Sequence, residues 1–159
     1  MGSEHSYHIG VIWQGNLGTG TSGYREYSRE LTVSAAGKHP IEGSADKPFR
    51  GDLSRWNPEE LLLAALAQCH LLSYLYVAVT EGVVVTDYSD SATGTMVEDG
   101  KGGGAFTEVL LRPRVTVADS SMTDAAMRAH KKANELCFIA RSMNFPVLHE
   151  PEIVVARPE

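Results

Sequence analysis

The sequence predicts an α+β fold, because its strand-like and helix-like segments follow one another in blocks and do not alternate as they do in a parallel doubly wound sheet. Three observations carry that expectation. Tyr7, Ile9, Val11 and Trp13 recur with the period of two that marks a half-buried strand. Leu61 to Thr80 contains no charged side chain and is opened by Asn57-Pro58-Glu59-Glu60, which has the form of a helix start. Two long strand-like segments, Val83 to Val97 and Phe106 to Val117, are joined by a glycine-rich tip at Glu98 to Gly104, as in a hairpin.

Taken in order, the first strand runs into the turn Gly15-Asn16-Leu17-Gly18-Thr19-Gly20, and a second strand is expected from about Tyr24 to Ser34. A polar stretch with Pro40, Gly43, Pro48 and Gly51 leads to the helix. Asn57 is a good N-cap, Pro58 suits the first helical position, and Glu60 stands where a capping box needs it. The helix should run to about Glu81 and stop at Gly82. After the hairpin, Ala126, Met127, Ala129, Ala133, Leu136, Cys137, Ala140 and Met143 recur at helical spacing, which predicts one helix or two short ones within Thr123 to Asn144. The last strand, Val147 to Val155, is broken by Pro151 and belongs at a sheet edge.

The chain has 159 residues, 43% of them hydrophobic, which suits one domain over residues 1–159. A net charge of -6, a pI near 5.5 and the absence of like-charge runs give no footprint for nucleic acid or an anionic membrane. Met1 to Gly10 lacks the layout of a signal peptide, so the expected location is cytoplasmic. The segment Leu61 to Thr80 has the length of a membrane span. It holds Gln68, His70, Ser73, Tyr74 and Tyr76, though, and lacks flanking basic residues, so a helix buried on all sides in a soluble core is the better reading.

Several motifs fall away on context. Gly18-Thr19-Gly20-Thr21-Ser22-Gly23 matches the dinucleotide fingerprint, but a strand and not a helix is expected after it. Six scattered histidines and two distant cysteines offer no metal ligand set. A hydrolase using Cys69 with His130 or His149 lacks a nucleophile-elbow pattern. Arg112-Pro113-Arg114 reads as a solvated edge.

What remains are Cys69 and Cys137, which form no CxxC pair and, in a reducing compartment, no structural framework. Each is either a packed core residue or a chemical group. Ala64, Ala65 and Ala67 leave space around Cys69, while Gln68 and His70 place polar groups in an otherwise apolar helix. His70 is offset from Cys69 by about 100° around the helix and is expected to be a satisfied core histidine, not a base. A peroxide-reducing cysteine acts as the thiolate and needs a cation nearby.

The stretch Asn57-Pro58-Glu59-Glu60-Leu61-Leu62-Leu63-Ala64-Ala65-Leu66-Ala67-Gln68-Cys69-His70 resembles the signature helix of the OsmC and Ohr proteins, the osmotically inducible and organic hydroperoxide resistance peroxidases. The resemblance extends to Ala133-Asn134-Glu135-Leu136-Cys137 and to Trp13-Gln14-Gly15-Asn16-Leu17-Gly18-Thr19-Gly20. It implies an enzyme, a thiol-dependent peroxidase in which Cys69 attacks the peroxide and Cys137 resolves the sulfenic acid as a disulfide. An external dithiol such as dihydrolipoamide is the reductant, and no bound cofactor is needed. It further implies that Glu59 holds an arginine that stabilises the thiolate. Arg25 matches the placement in Ohr-type members and Arg50 that in OsmC-type members; the reading leans slightly to Arg25 and keeps both. Where many members have proline after the second cysteine, this chain has Phe138, which points to a less activated resolving thiol.

Glu59 and Cys69 lie ten residues apart on one helix, about 15 Å along its axis, too far to share one arginine. Two antiparallel copies of the helix would bring Glu59 of one chain to Cys69 of the other. The resemblance implies the same intertwined homodimer with active sites at the interface. Leu61, Leu62, Leu66, Leu72 and Phe138 suggest an apolar lining suited to bulky organic hydroperoxides, with hydrogen peroxide as a further substrate. The alternative is an OsmC-fold small-molecule binding or stress-related protein with little turnover.

Overall fold

The structure is a computed structural model that describes residues 2–157. The chain divides into two compact units, one ending at Leu61 and the other beginning at Leu62.

The first unit carries an antiparallel sheet of β1 (Gly10–Trp13), β2 (Leu31–Ser34) and β3 (Ile41–Gly43), with Trp13 opposite Leu31 and Val33 opposite Ile41. The expected second strand is cut back to its last four residues. Arg29 causes this. Its guanidinium sits 4.4 Å from the ring centre of Tyr24 and 3.9 Å from that of Tyr27, and it donates to the carbonyls of Tyr27 at 2.7 Å and Tyr24 at 2.8 Å. With two carbonyls turned onto that cation, the chain turns at Tyr24, makes one isolated bridge from Tyr27 to Asn16, and takes up the regular ladder only at Leu31. Strand β3 lies in the stretch expected to be loop, and with one large apolar residue, Ile41, it has no periodicity to read.

Just before the helix, residues Asp46 to Gly51 form a tight knot. The Asp46 carbonyl accepts from both Phe49 and Gly51 at 3.0 Å, and its side chain accepts from the N–H of Lys47. Arg50 is held at φ 63°, the sole non-glycine residue with positive φ among the described residues. A Cβ on Gly51 would stand 1.5 Å from the Ala45 carbonyl oxygen, so only glycine fits there.

Helix α1 (Pro58–Thr80) begins as expected: Asn57 accepts from the N–H of Glu60 at 2.8 Å, and its own N–H donates to the Glu60 carboxylate at 3.3 Å. It ends at Gly82, whose φ of 70° lets Val83 N–H return to the Ala78 carbonyl at 2.8 Å.

In the second unit the two hairpin arms are each broken. The first becomes β4 (Val85–Asp90) and β5 (Thr93–Glu98), the second β6 (Gly104–Leu111) and β7 (Pro113–Val117). The halves belong to separate sheets, ordered β4-β7-β9 and β5-β6-β8, in which β8 (Val147–His149) pairs parallel with β6 and β9 (Glu152–Val155) parallel with β7. Both last strands are edges, and Pro151 separates them as expected. The arms break where Arg112 N–H leaves the ladder for the Asp90 carboxylate at 2.8 Å and Pro113 offers no N–H.

Each sheet has its own apolar cluster. Tyr74, Val77 and Ala78 of α1 pack with Val115, Val117 and α2 (Thr123–Leu136), whereas Leu66 packs with Val109 and Leu111. The expected second helix is therefore α2, followed by a short 3-10 turn at Ala140–Ser142.

The expectation that α1 is buried on all sides is corrected. One stripe, Leu66, His70, Tyr74, Val77 and Ala78, is covered. Leu72, Leu75, Tyr76 and Val79, at helical spacing on another face, are exposed by 58%, 38%, 65% and 79%. Every buried hydrophobic side chain among the described residues lies at or after Leu66; the first unit buries none. Removing the helix cap in Asn57→Ala should cost about 1–2 kcal/mol of stability with the fold retained, as read by urea unfolding.

Candidate active site

The packing of α2 against α1 sets the geometry of the cysteines. Cys69 lies mid-way along α1 and is half-buried; Cys137 is the residue that closes α2 and is buried, at 1% exposure. Both are free thiols, and they are neighbours: the Cys69 side chain is close enough to act on the Cys137 thiol.

After Cys137 the chain turns back on the sulfur. Ala140 N–H donates to Cys137 Sγ at 3.4 Å, and Arg141 N–H donates to the Cys137 carbonyl at 3.1 Å. The turn thus forms without a proline, with Phe138 directed outward at 79% exposure. Burial is the main force on the Cys137 thiol and, with the neighbouring Cys69 thiol, pushes it up to about 11; the Ala140 and Ile139 N–H groups oppose this. Cys137 therefore holds its proton at neutral pH.

The other expected site residues lie in the first unit. Glu59 is half-buried, and its Oε2 is buried with no hydrogen-bond partner. A buried carboxylate oxygen without a donor is costly, so this group is built to receive one. Arg25 and Arg50 are exposed, and neither forms an ion pair with a carboxylate among the described residues. Arg50 stands out by its positive φ, which no sequence pattern signals. Of the expected apolar lining, Leu66 is fully buried core and cannot face a substrate, while Leu72 and Phe138 are exposed.

His70 is a core histidine, as expected, but is only half satisfied: one ring nitrogen bonds His130 and the other has no partner. Among the described residues no group of three acidic, histidine or cysteine side chains is arranged to hold a metal ion.

The family model for OsmC-like proteins matches residues 51–152, the span that holds both cysteines and Glu59. The chain belongs to the OsmC family. A solved OsmC-like protein of unknown function from Vibrio cholerae shares 30% identity, covers 93% of this chain and 99% of its own, and superposes with a TM-score of 0.82. An uncharacterised protein of Bacillus subtilis, YmaD, is 27% identical over 147 residues, 89% of this chain and 88% of its own. Within the OsmC fold, an organic hydroperoxide resistance protein from Elizabethkingia anophelis matches at 17% identity and a TM-score of 0.67, over 97% of this chain and all of that one. At that identity the likeness shows the fold alone. A hydroperoxide resistance protein therefore shares this fold, and the more similar relatives are of unknown activity.

Because Cys137 is sealed and keeps its proton while Cys69 is only half-buried, substoichiometric iodoacetamide at pH 7.5 should alkylate Cys69 well before Cys137, at least about tenfold faster, as read by peptide mass spectrometry.

Proposed function

We propose that this OsmC protein is a thiol peroxidase for organic hydroperoxides. The observation that carries the reading is that the half-buried Cys69 is a neighbour of the fully buried Cys137 and acts on its thiol. The Cys69 thiolate attacks the peroxide, forming an S–O bond as the O–O bond breaks; the departing alkoxide takes a proton and leaves as the alcohol. Cys137 is the neighbouring thiol for the resulting sulfenic acid. Its sulfur forms the S–S bond, and the sulfenic oxygen leaves as water with the Cys137 proton. A dithiol then returns both cysteines to thiols by exchange, taking the oxidation onto itself.

The high affinity of Cys137 for its proton suits this order, because it keeps the resolving thiol neutral until the sulfenic acid forms. The charges that act on Cys137 are those of its neighbour and of backbone N–H groups, with no cation among them. The activating cation must then be brought by another element. We assign it to an arginine held by the unpartnered Glu59 of a second copy, which turns the ten-residue offset between Glu59 and Cys69 from an obstacle into a register. The exposed stripe on α1 and the first unit without buried apolar side chains are the surfaces such a homodimer would cover. On this reading α1 is a dimer core helix and not a membrane span, although by length and composition it could cross one. Between the two arginines, the strained backbone of Arg50 now favours it over Arg25, because such conformations persist where a site requires them.

The test is steady-state reduction of cumene hydroperoxide with dihydrolipoamide. Cys69→Ser should fall to the uncatalysed rate, and Cys137→Ser should keep one turnover of peroxide reduction but lose steady-state turnover. A wild type no faster than Cys69→Ser would overturn the enzyme reading in favour of a binding protein. Arg50→Ala should slow the peroxide step by about tenfold or more, through a less ionised Cys69, while Arg25→Ala should not. Sedimentation velocity at micromolar concentration should show a dimer; a monomer would remove the shared site.

A further inference from the structure

The second unit buries a group of histidines that the peroxidase chemistry does not use. His70 on α1 and His130 on α2 are 1% and 4% exposed, and His70 Nε2 lies 3.0 Å from His130 Nδ1. The ring of His149, at the end of β8, lies 4.3 Å from that of His70, and Tyr74 stacks on His130 at 4.2 Å. On α1, His70 falls between Leu66 of one apolar cluster and Tyr74 of the other, so the group sits on the seam of the core.

Hydrogen-bond bookkeeping leaves this group short. His70 Nδ1, His130 Nε2 and His149 Nε2 are buried without partners. Whichever tautomer joins His70 to His130, one outer nitrogen is a bare N–H and the other a bare lone pair. The facing titratable groups offer no relief. Tyr74 OH donates to the Ala126 carbonyl, Tyr88 OH has no partner, and Asp90 accepts from the backbone of Arg112. The side-chain charges that act on His70 are those of His149 and His130. A proton added here meets no counter-ion and two more imidazoles.

The link to the thiols is mechanical. His70–His130 and Tyr74–Ala126 are polar ties between α1 and α2, and α2 ends at Cys137, seven residues beyond His130 and about 10 Å along the axis. We propose that His70, His130 and His149 form an acid-sensitive clamp that seals Cys137 against Cys69 when neutral and releases it when the cluster takes up protons. It depends on the contact between the two thiols and not on peroxide being reduced.

The sign follows from burial. Desolvation, then the neighbouring imidazoles, lowers His70 to about 3; desolvation, then His149, lowers His130 to about 4; desolvation lowers His149. The released state binds protons with the ordinary histidine value near 6.5, and the sealed state does not. The clamp is therefore at full strength above about pH 6.5 and weakens below it, about tenfold per pH unit for each histidine that takes up a proton.

The experiment uses the full-length Cys69→Ser protein, in which Cys137 is the one remaining thiol, so the peroxidase reading neither helps nor harms it. Labelling of Cys137 by 4,4′-dithiodipyridine is followed from pH 7.5 to 5, normalised at each pH to a free thiol. The expected result is a rise of about tenfold or more between pH 6.5 and 5.5 while the far-UV signal is retained, and a pH-independent rate when His70→Gln and His130→Gln are added. A flat rate, the same rise in that variant, or exposure only on global unfolding would overturn the proposal. If the variant does not fold, histidine-selective nitrogen NMR decides on the histidine-intact protein. The three buried histidines should stay neutral at pH 6 and titrate together with Cys137 exposure. Ordinary titration of those three near 6.5 with Cys137 still sealed would overturn it.

Discussion

The approach of α2 to α1 is the contact on which the second unit depends. Ala126, Ala129 and Ala133 recur along the buried face of α2, and none has a side chain long enough to hold the helices apart. Tyr74 fixes the height of one helix against the other by reaching across to the Ala126 carbonyl at 2.8 Å. The position of Cys137 follows from this, because the residue that closes α2 has nowhere to go but the flank of α1 beside Cys69. A bulky residue at Ala133, one turn earlier, would displace the second sulfur before it touched any catalytic group.

The electrostatic division of labour between the sulfurs comes from the same packing. Cys137 is sealed and loses water, which holds its proton; Cys69, half open on the helix flank, keeps access to solvent. Nothing in the sequence alone separated the two thiols by exposure, since both sit in apolar, helical-looking surroundings. Burial did so.

Much of this was legible beforehand, for identifiable reasons. The α1 boundaries were written in short-range chemistry, with Asn57 and Glu60 at one end and Gly82 at the other. Local signals of that kind survive tertiary packing. The shortened β2 was not legible, because Arg29 between two tyrosines looks like any strand cation until the rings close on it. Nor was the break in each hairpin arm, where unbroken β-forming runs change sheet through one hydrogen bond from Arg112 to Asp90. The histidine group escaped for a different reason: His70, His130 and His149 are 60 and 19 residues apart in turn, and only the fold assembles them. Burial of α1 was overstated because all-round apolarity says which faces want cover, not which of them the same chain supplies.

The first unit's lack of a core bears on how the protein comes to be made. Residues up to Leu61 leave the ribosome first, yet they bury no hydrophobic side chain of their own with which to offset the entropy of ordering. A second molecule that supplies an apolar surface would offset that cost. Where that surface is another copy, the last stage of folding is a bimolecular collision, and its rate rises with the amount of protein in the cell.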